Sequence, residues 1–425
     1  MADVVTIVIP AYGLARRTAA CLTSLRRQTP GGYFRVTVVD DASPDDTPEL
    51  IAPLGRELFG PAFRFVRLAQ NAGFATACNA GAAGSRSEYL LFLNNDTLVE
   101  KGWLPPLLAA FREERRLGAC SPLLVFPETG RLQHAGVVFD PDLRASHLYF
   151  LFPGRHPVLA GRRRLQAISA SAFLVPRGVF ERLGGFFAGY KNGSEDLDLC
   201  AGIRAAGLDL TCVAQSRVVH DTSQTPGRFD HVEANTRLLN ARQAGRFVPD
   251  LDRCARRDGF TLRLNDWLRP YLTVPDDRAA ALAKAWEDRD AAAVAAVLEA
   301  EPLWEPGSIR AVRDREAAGD TATAAANARL RAHFFPSLES LGEAARLSRA
   351  SGEDAAAREV LVDLETARRE LARPEALASR ARANLRLFRE SGRASLAELY
   401  ATWLASRAQP EVASGDARVD PGAPA

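Results

Sequence analysis

Up to residue 245 the chain alternates two kinds of segment. Short apolar runs rich in β-branched residues occupy 4–10 (VVTIVIP), 34–40 (FRVTVVD), 63–69 (FRFVRLA) and 88–94 (EYLLFLN), and later 167–175 (AISASAFLV) and 210–219 (LTCVAQSRVV). Between the first four lie stretches with helical character, at 14–28, 47–58 and 74–84. Strand–helix–strand alternation with apolar strands predicts a mainly parallel α/β sheet covered on both faces. In such sheets ligands bind beyond the C-terminal ends of the strands. The groups there are Pro10-Ala11-Tyr12, Asp40-Asp41-Ala42-Ser43, Asn71 and Asn94-Asn95-Asp96. Polar groups at four successive strand ends read as one site rather than four loops.

From about residue 276 strand signals vanish and Ala, Glu, Arg and Leu dominate. The breakers Asp290, Pro302, Gly319, Pro336, Gly352, Pro374 and Gly392 divide this part into helices. The segment from Gly319 (GDTATAAANARLRAHFFP) is followed by one from Gly352 (GEDAAAREVLVDLE), and each has a small residue five positions on, Ala324 and Ala357. This resembles a tetratricopeptide repeat, which implies stacked helix pairs. A non-repeating helical bundle is the other reading. The domains expected are 1–245 (α/β), 246–275 (a bridge), 276–408 (helical) and 409–425 (a disordered Pro/Gly/Ala-rich tail).

Composition excludes several classes. Of the 425 residues, 47% are hydrophobic and 25% charged, so wholesale disorder is excluded. The net charge of +2 gives no general basic field for nucleic acid or an anionic membrane. Cys21, Cys78, Cys120, Cys200, Cys212 and Cys254 show no C-x-x-C spacing, so a zinc site has no support. The opening run lacks a basic region and a cleavage site, and no run reaches the length of a membrane span. A cytoplasmic protein is expected, with peripheral contact at the inner face of a membrane left open.

Six motifs in order carry a resemblance: TIVIPAYG (6–13), VVDDASPDDT (38–47), NAGFATACNAG (71–81), YLLFLNNDT (89–97), SEDLDLCAGIRAAG (194–207) and VVHDTS (218–223). In this combination residues 4–228 resemble a family 2 glycosyltransferase with the GT-A fold, and the Asn-Asn-Asp variant resembles rhamnosyltransferase-like members. The resemblance implies a nucleotide-diphosphate-sugar donor, a divalent Mg or Mn cation, and inverting transfer to a hydroxyl of a saccharide, lipid-linked or protein acceptor in cell-surface glycan synthesis. It puts Asp41 on the nucleobase, with Pro10, Ala11, Tyr12 and Ser43 lining the same pocket. Asn71, Gly73, Phe74 and Asn79 fall beside the donor at a helix entrance. Asn94 and Asn95 precede the metal-binding Asp96, and His220 is the second metal or diphosphate ligand. Asp196 becomes the catalytic base and Glu195 a binder of acceptor hydroxyls.

The sequence departs from the family's Asp-x-Asp at Asn94, which keeps an amide oxygen but loses a charge. That departure favours a second reading: a non-catalytic nucleotide-sugar-binding or scaffold protein whose helices bind a partner or self-associate. Other features read as structural. Asp198 is expected solvated or ion-paired, Trp103 packed, Arg162-Arg163-Arg164 a solvated loop, and 147–154 (HLYFLFPG) local core.

Overall fold

The computed structural model describes residues 4–221, 230–286 and 290–408. The expected tail, and Thr222 and Ser223 of the last motif, lie outside the described residues. The chain divides into two compact units. The first takes in residues up to Leu251 together with Ala296–Pro302; the second takes in Asp252–Ala295 and the residues from Leu303 on.

The first unit is a GT-A-like mixed sheet. Its strands are β1 (Val5–Ala11), β2 (Phe34–Asp40), β3 (Phe63–Arg67), β4 (Tyr89–Leu93), β5 (Thr97–Val99), β6 (Leu117–Val125), β7 (Leu132–His134), β8 (Val137–Phe139), β9 (Ala145–His147), β10 (Ala172–Pro176) and β11 (Asp209–His220). Helices α1 (Ala15–Gln28), α2 (Thr47–Phe59), α3 (Phe74–Ala82), α4 (Leu104–Glu113), α5 (Arg177–Arg182), α6 (Glu195–Ala205) and α7 (Val232–Arg242) connect and cover them. The order is β3-β2-β1-β4-β10-β6-β11-β5, with β7 on β6, while β8 and β9 form a separate hairpin. The four strands from β3 to β4 are parallel; β10 runs antiparallel to β4 and β6, and β5 antiparallel to β11.

Burial on both faces explains the unbroken apolar runs. Ile7 and Ile9 of β1 face one core with Leu22, Leu25 and Trp103. Val8 faces the other, with Phe92, Phe173 and Phe186. Helix α3 lies so close to the sheet that a Cβ on Gly81 would collide with Val8, so only glycine fits there.

Two expectations are corrected. The run 167–175 is a strand only from Ala172, because Ser169 and Ser171 bond each other across a turn. Strand β6 gave no strand signal, since Gly118 and Pro122 interrupt it. Pro122 pairs with Val213 next to an irregularity in the β6–β11 register, where a missing N–H is tolerated.

The second unit holds helix α8 (Leu251–Arg257), apart from its first residue, and the hairpin β12 (Thr261–Leu264) with β13 (Pro270–Thr273), within the stretch read as a bridge. Helices α9 (Asp276–Trp286), α10 (Ala291–Ala300, whose residues from Ala296 on belong to the first unit), α11 (Glu305–Ala317), α12 (Thr321–Phe334), α13 (Leu338–Ala350), α14 (Asp354–Leu371), α15 (Pro374–Glu390) and α16 (Ala394–Ala408) follow. Gly319, Gly352 and Gly392 end helices at φ of 74°, 80° and 68°, where a Cβ would be strained. Helices α12 and α13 have 14 and 13 residues but α14 and α15 have 18 and 17, so no fixed repeat length runs through this part. Asn265 ties the hairpin to the helices, accepting from Trp403 Nε1 at its carbonyl (2.8 Å) and donating to the Pro336 carbonyl (3.0 Å). No described helix is long and apolar enough to cross a membrane.

Candidate active site

The C-terminal ends of β1, β2 and β4 open onto a cavity of about 270 Å³ in the first unit. Pro10, Ala11 and Tyr12 come from the end of β1, Asp41 from β2, and Asn71, Phe74 and Ala77 from the start of α3. Asn94, Asn95 and Asp96 come from β4. Ser169-Ala170-Ser171, the loop Asn192–Asp196 and His147 of β9 complete the wall.

At one end Asp41, 4% exposed, accepts the Ala72 N–H (2.7 Å) and the Gly73 N–H (2.9 Å), one on each carboxylate oxygen. Its carboxylate thus serves peptide donors before α3, where no side-chain cap is present. Burial raises the Asp41 pKa above the ordinary carboxylate value, against the pull of these two bonds. Each oxygen keeps a second lone pair.

Three residues expected on the ligand lie behind the wall instead. Ser43 Oγ accepts from Gly13 N–H (2.8 Å), and its own N–H bonds Asp40, so it shapes the loop after β1. The Gly73 N–H is taken by Asp41. Asn79 faces away and clasps the Phe186 peptide, donating to its carbonyl (2.7 Å) and accepting its N–H (3.0 Å).

At the centre, the antiparallel pairing of β5 with the end of β11 brings Asp96 to His220, 124 positions away. His220 is 1% exposed, and its Nε2 lies 3.2 Å from Asp96 Oδ1. Gln133 fixes the tautomer. Its amide donates to the His220 carbonyl (3.2 Å), so its Oε1, 2.5 Å from His220 Nδ1, must accept a proton from that nitrogen. In the neutral ring Nε2 then carries a lone pair, and it faces the buried Asp96 Oδ1, which has no other hydrogen-bond donor. Two acceptors aimed at one point fit a cation. Adjacent ligands of an octahedral Mg or Mn ion, each at about 2.1 Å, stand about 3 Å apart. Among the described residues no third His, Cys, Asp or Glu joins them, so a cation there would complete its shell with phosphate or water oxygens.

Asn94 supports this centre. Its Nδ2 lies 3.3 Å from His220 Nε2 and 3.4 Å from Ser171 Oγ. Asn95 is tied to α1 through Thr18 Oγ1 (2.9 Å).

At the other end Glu195 and Asp196 occupy the first turn of α6. Asn192, Gly193 and Ser194 before them all have positive φ (52°, 150° and 75°), a tight reversal that turns both carboxylates back to the cleft. Glu195 Oε2 accepts the Gly193 N–H (2.8 Å). Asp196 accepts from Ala170 N–H (3.2 Å) and Leu197 N–H (2.9 Å). Asp198 is ion-paired, as one of its two expected states, with Arg242 (3.0 Å), and it also accepts from Tyr190 and Gln243.

The sequence reading missed His147, Gln133 and the loop 169–171. The loop was hidden inside an apparent strand, Gln133 lies in no motif, and His147 opens the run 147–154 read as local core, where Leu148, Tyr149 and Phe152 are buried but His147 is exposed. Trp103 is packed, 1% exposed, with its Nε1 on Thr29. Arg162 is exposed and paired with Glu113 and Glu114, whereas Arg163 is buried against Tyr149 rather than solvated.

The chain is 33% identical over 227 residues to the O-antigen biosynthesis protein RfbC of Myxococcus xanthus, covering 52% of this chain but only 17% of that protein. It is 28% identical over 250 residues to the N-acetylglucosaminyl-diphospho-decaprenol L-rhamnosyltransferase of Mycobacterium tuberculosis, covering 54% of this chain and 79% of the relative. Among solved structures, the mannosyltransferase PcManGT from Pyrobaculum calidifontis, in complex with GDP-Man and Mn2+, aligns at TM-score 0.40 and 19% identity. That alignment covers 86% of this chain and 87% of the other. Residues 6–183 match the family model Glycosyl transferase family 2.

Proposed function

We propose that the protein transfers a sugar from a nucleoside diphosphate donor to a hydroxyl group, with inversion at the anomeric carbon. One observation carries this reading: Asp41, Asp96 and Asp196, remote in sequence, border a single cleft, with buried His220 against Asp96. Relatives named for O-antigen synthesis and for rhamnosyl transfer to a lipid-linked sugar support a role in surface-glycan assembly.

In this mechanism Asp41 and Tyr12 receive the nucleobase. Asp96 and His220 would hold a divalent cation, which when bound offsets charge on the departing diphosphate. Asp196 takes the proton of the acceptor hydroxyl. The acceptor oxygen bonds to the anomeric carbon as the carbon–phosphate oxygen bond breaks, its electron pair leaving with the diphosphate. Glu195 orients acceptor hydroxyls. The helical second unit offers surface for a partner or for self-association.

The test is a panel of nucleotide sugars scored by nucleotide release, repeated with Asp196→Asn. General-base catalysis contributes ~10²–10⁴-fold, so the variant should lose turnover by that order while still binding nucleotide. Wild-type turnover in D196N refutes the base assignment. Failure of wild type to bind any nucleotide sugar favours the scaffold reading, which Asn94 alone supports.

A further inference from the structure

Strand β7 places His134 behind the cleft wall, fully buried, and its ring bridges two groups of different polarity. On one side the Ser169 N–H lies 3.2 Å from His134 Nε2. A peptide N–H only donates, so Nε2 holds the lone pair. On the other side His134 Nδ1 lies 2.9 Å from Nδ1 of His147. With Nε2 as acceptor, the proton of neutral His134 sits on Nδ1 and is donated to His147 Nδ1. His147, exposed on β9 and bordering the cavity, is thereby left with its proton on Nε2. Burial lowers the His134 pKa well below its ordinary value, and His147 and His220 lower it further, in keeping with a neutral ring.

The same short strand therefore sets two histidines, His147 at the cleft and His220 buried behind it, to opposite roles. Gln133 accepts from His220 and makes its Nε2 an acceptor. Its neighbour His134 donates to His147 and makes His147 Nε2 a donor. A backbone amide, Ser169 N–H, fixes the polarity of the second chain, and its neighbour Ala170 holds Asp196.

We infer that His147 is a ligand-binding residue that presents a fixed Nε2–H donor to an oxygen of the nucleotide-sugar donor, with His134 as its positioning residue. The inference rests on the proposed transferase reading. The donor rather than the acceptor is favoured because Gln133, the neighbour of His134 on β7, bonds His220 Nδ1 (2.5 Å), which puts this strand on the Asp96–His220 side of the cleft. An N–H donor also complements the oxygens that crowd a sugar diphosphate.

Two measurements on the full chain test this. In ring-15N-labelled wild type, long-range 15N–1H spectra should assign the Nδ1-protonated tautomer to His134 and the Nε2-protonated tautomer to His147. The reverse pattern at either ring overturns the proposal without any variant needing to fold. Binding of UDP, GDP and dTDP and of their sugar conjugates is then compared in wild type, His147→Phe and His147→Gln. Loss of one hydrogen bond should weaken the sugar conjugate roughly tenfold in H147F. H147Q, which retains an N–H at similar reach, should recover most of it. Equal weakening of the bare diphosphate assigns the contact to a phosphate oxygen; weakening of the conjugate alone assigns it to the sugar. If H147F binds like wild type, this inference fails while the transferase reading stands. If wild type binds none of these ligands, the transferase reading itself fails.

Discussion

Replacing Asp41 with Asn separates its structural work from its proposed contact with the base. The carboxylate accepts one peptide N–H on each oxygen, at 2.7 and 2.9 Å, and is 4% exposed. The amide keeps one acceptor and sets an NH2 against the second N–H. A hydrogen bond to a charged group is worth about 1.5–3 kcal/mol. Burial already disfavours the ionised carboxylate, as its raised pKa records, so the neutral amide recovers part of that penalty. A net loss of about 2 kcal/mol follows, at the lower end of the range. At about 2–4 °C per kcal/mol for a domain of this size, the unfolding transition should fall by about 4–8 °C. Scanning calorimetry of wild type and D41N reads this directly, and the transition of the helical unit should not move. Nucleotide titration follows at a temperature where both proteins are folded, and roughly tenfold weaker binding is expected. An unchanged transition refutes the anchoring argument; a lowered transition with wild-type nucleotide affinity refutes the base contact alone.

Three further outcomes are expected. Gln133→Leu removes the acceptor that holds His220, and loss of such an outer partner typically costs ~10–100-fold in metal affinity. Mn2+ titration in the presence of the preferred nucleotide should show a drop of that order, and an unchanged Mn2+ response counts against His220 as a ligand. Asn79→Ala deletes both bonds to the buried Phe186 peptide and should destabilise by about 1–3 kcal/mol by urea melts, with nucleotide affinity little altered. Burial pushes the Asp45 carboxyl up, but bonds from Thr47 and Ala15 outweigh it and hold it below the ordinary value of 3.8. Its stabilising contribution is therefore complete above that value and lost as the pH falls through the lowered pKa. Asp45→Asn should flatten the acid limb of the stability curve, and an unchanged limb removes Asp45 from the account.

Much of the architecture is legible locally. The motif residues at the ends of β1, β2 and β4 were found because an apolar run that stops at a polar group marks a buried strand reaching the surface. Gly319, Pro336, Gly352, Pro374 and Gly392 marked helix boundaries because backbone chemistry alone sets their preference. Of the residues singled out for the donor, Pro10, Ala11, Tyr12, Asp41, Asn71, Phe74, Asn94 and Asn95 border the cleft. Ser43, Gly73 and Asn79 do not. Each has the right chemistry at the right element, but a group from another segment claims it first: the Gly13 peptide for Ser43, the Asp41 carboxylate for Gly73 and the Phe186 peptide for Asn79.

The sequence by itself therefore determined β1 to β4, β11 and α1 to α3 of the first unit, the strand ends that carry polar groups, and the helical character of the second. Periodicity and turn chemistry act within a few residues and are written there. Tertiary structure alone decided that His220 meets Asp96, that Gln133 and His134 set the polarity of two histidines, and that 169–171 is a loop against Asp196. Those outcomes depend on strand order and register between segments 13 to 124 residues apart, and on which buried donor finds which acceptor, where no local pattern leaves a trace.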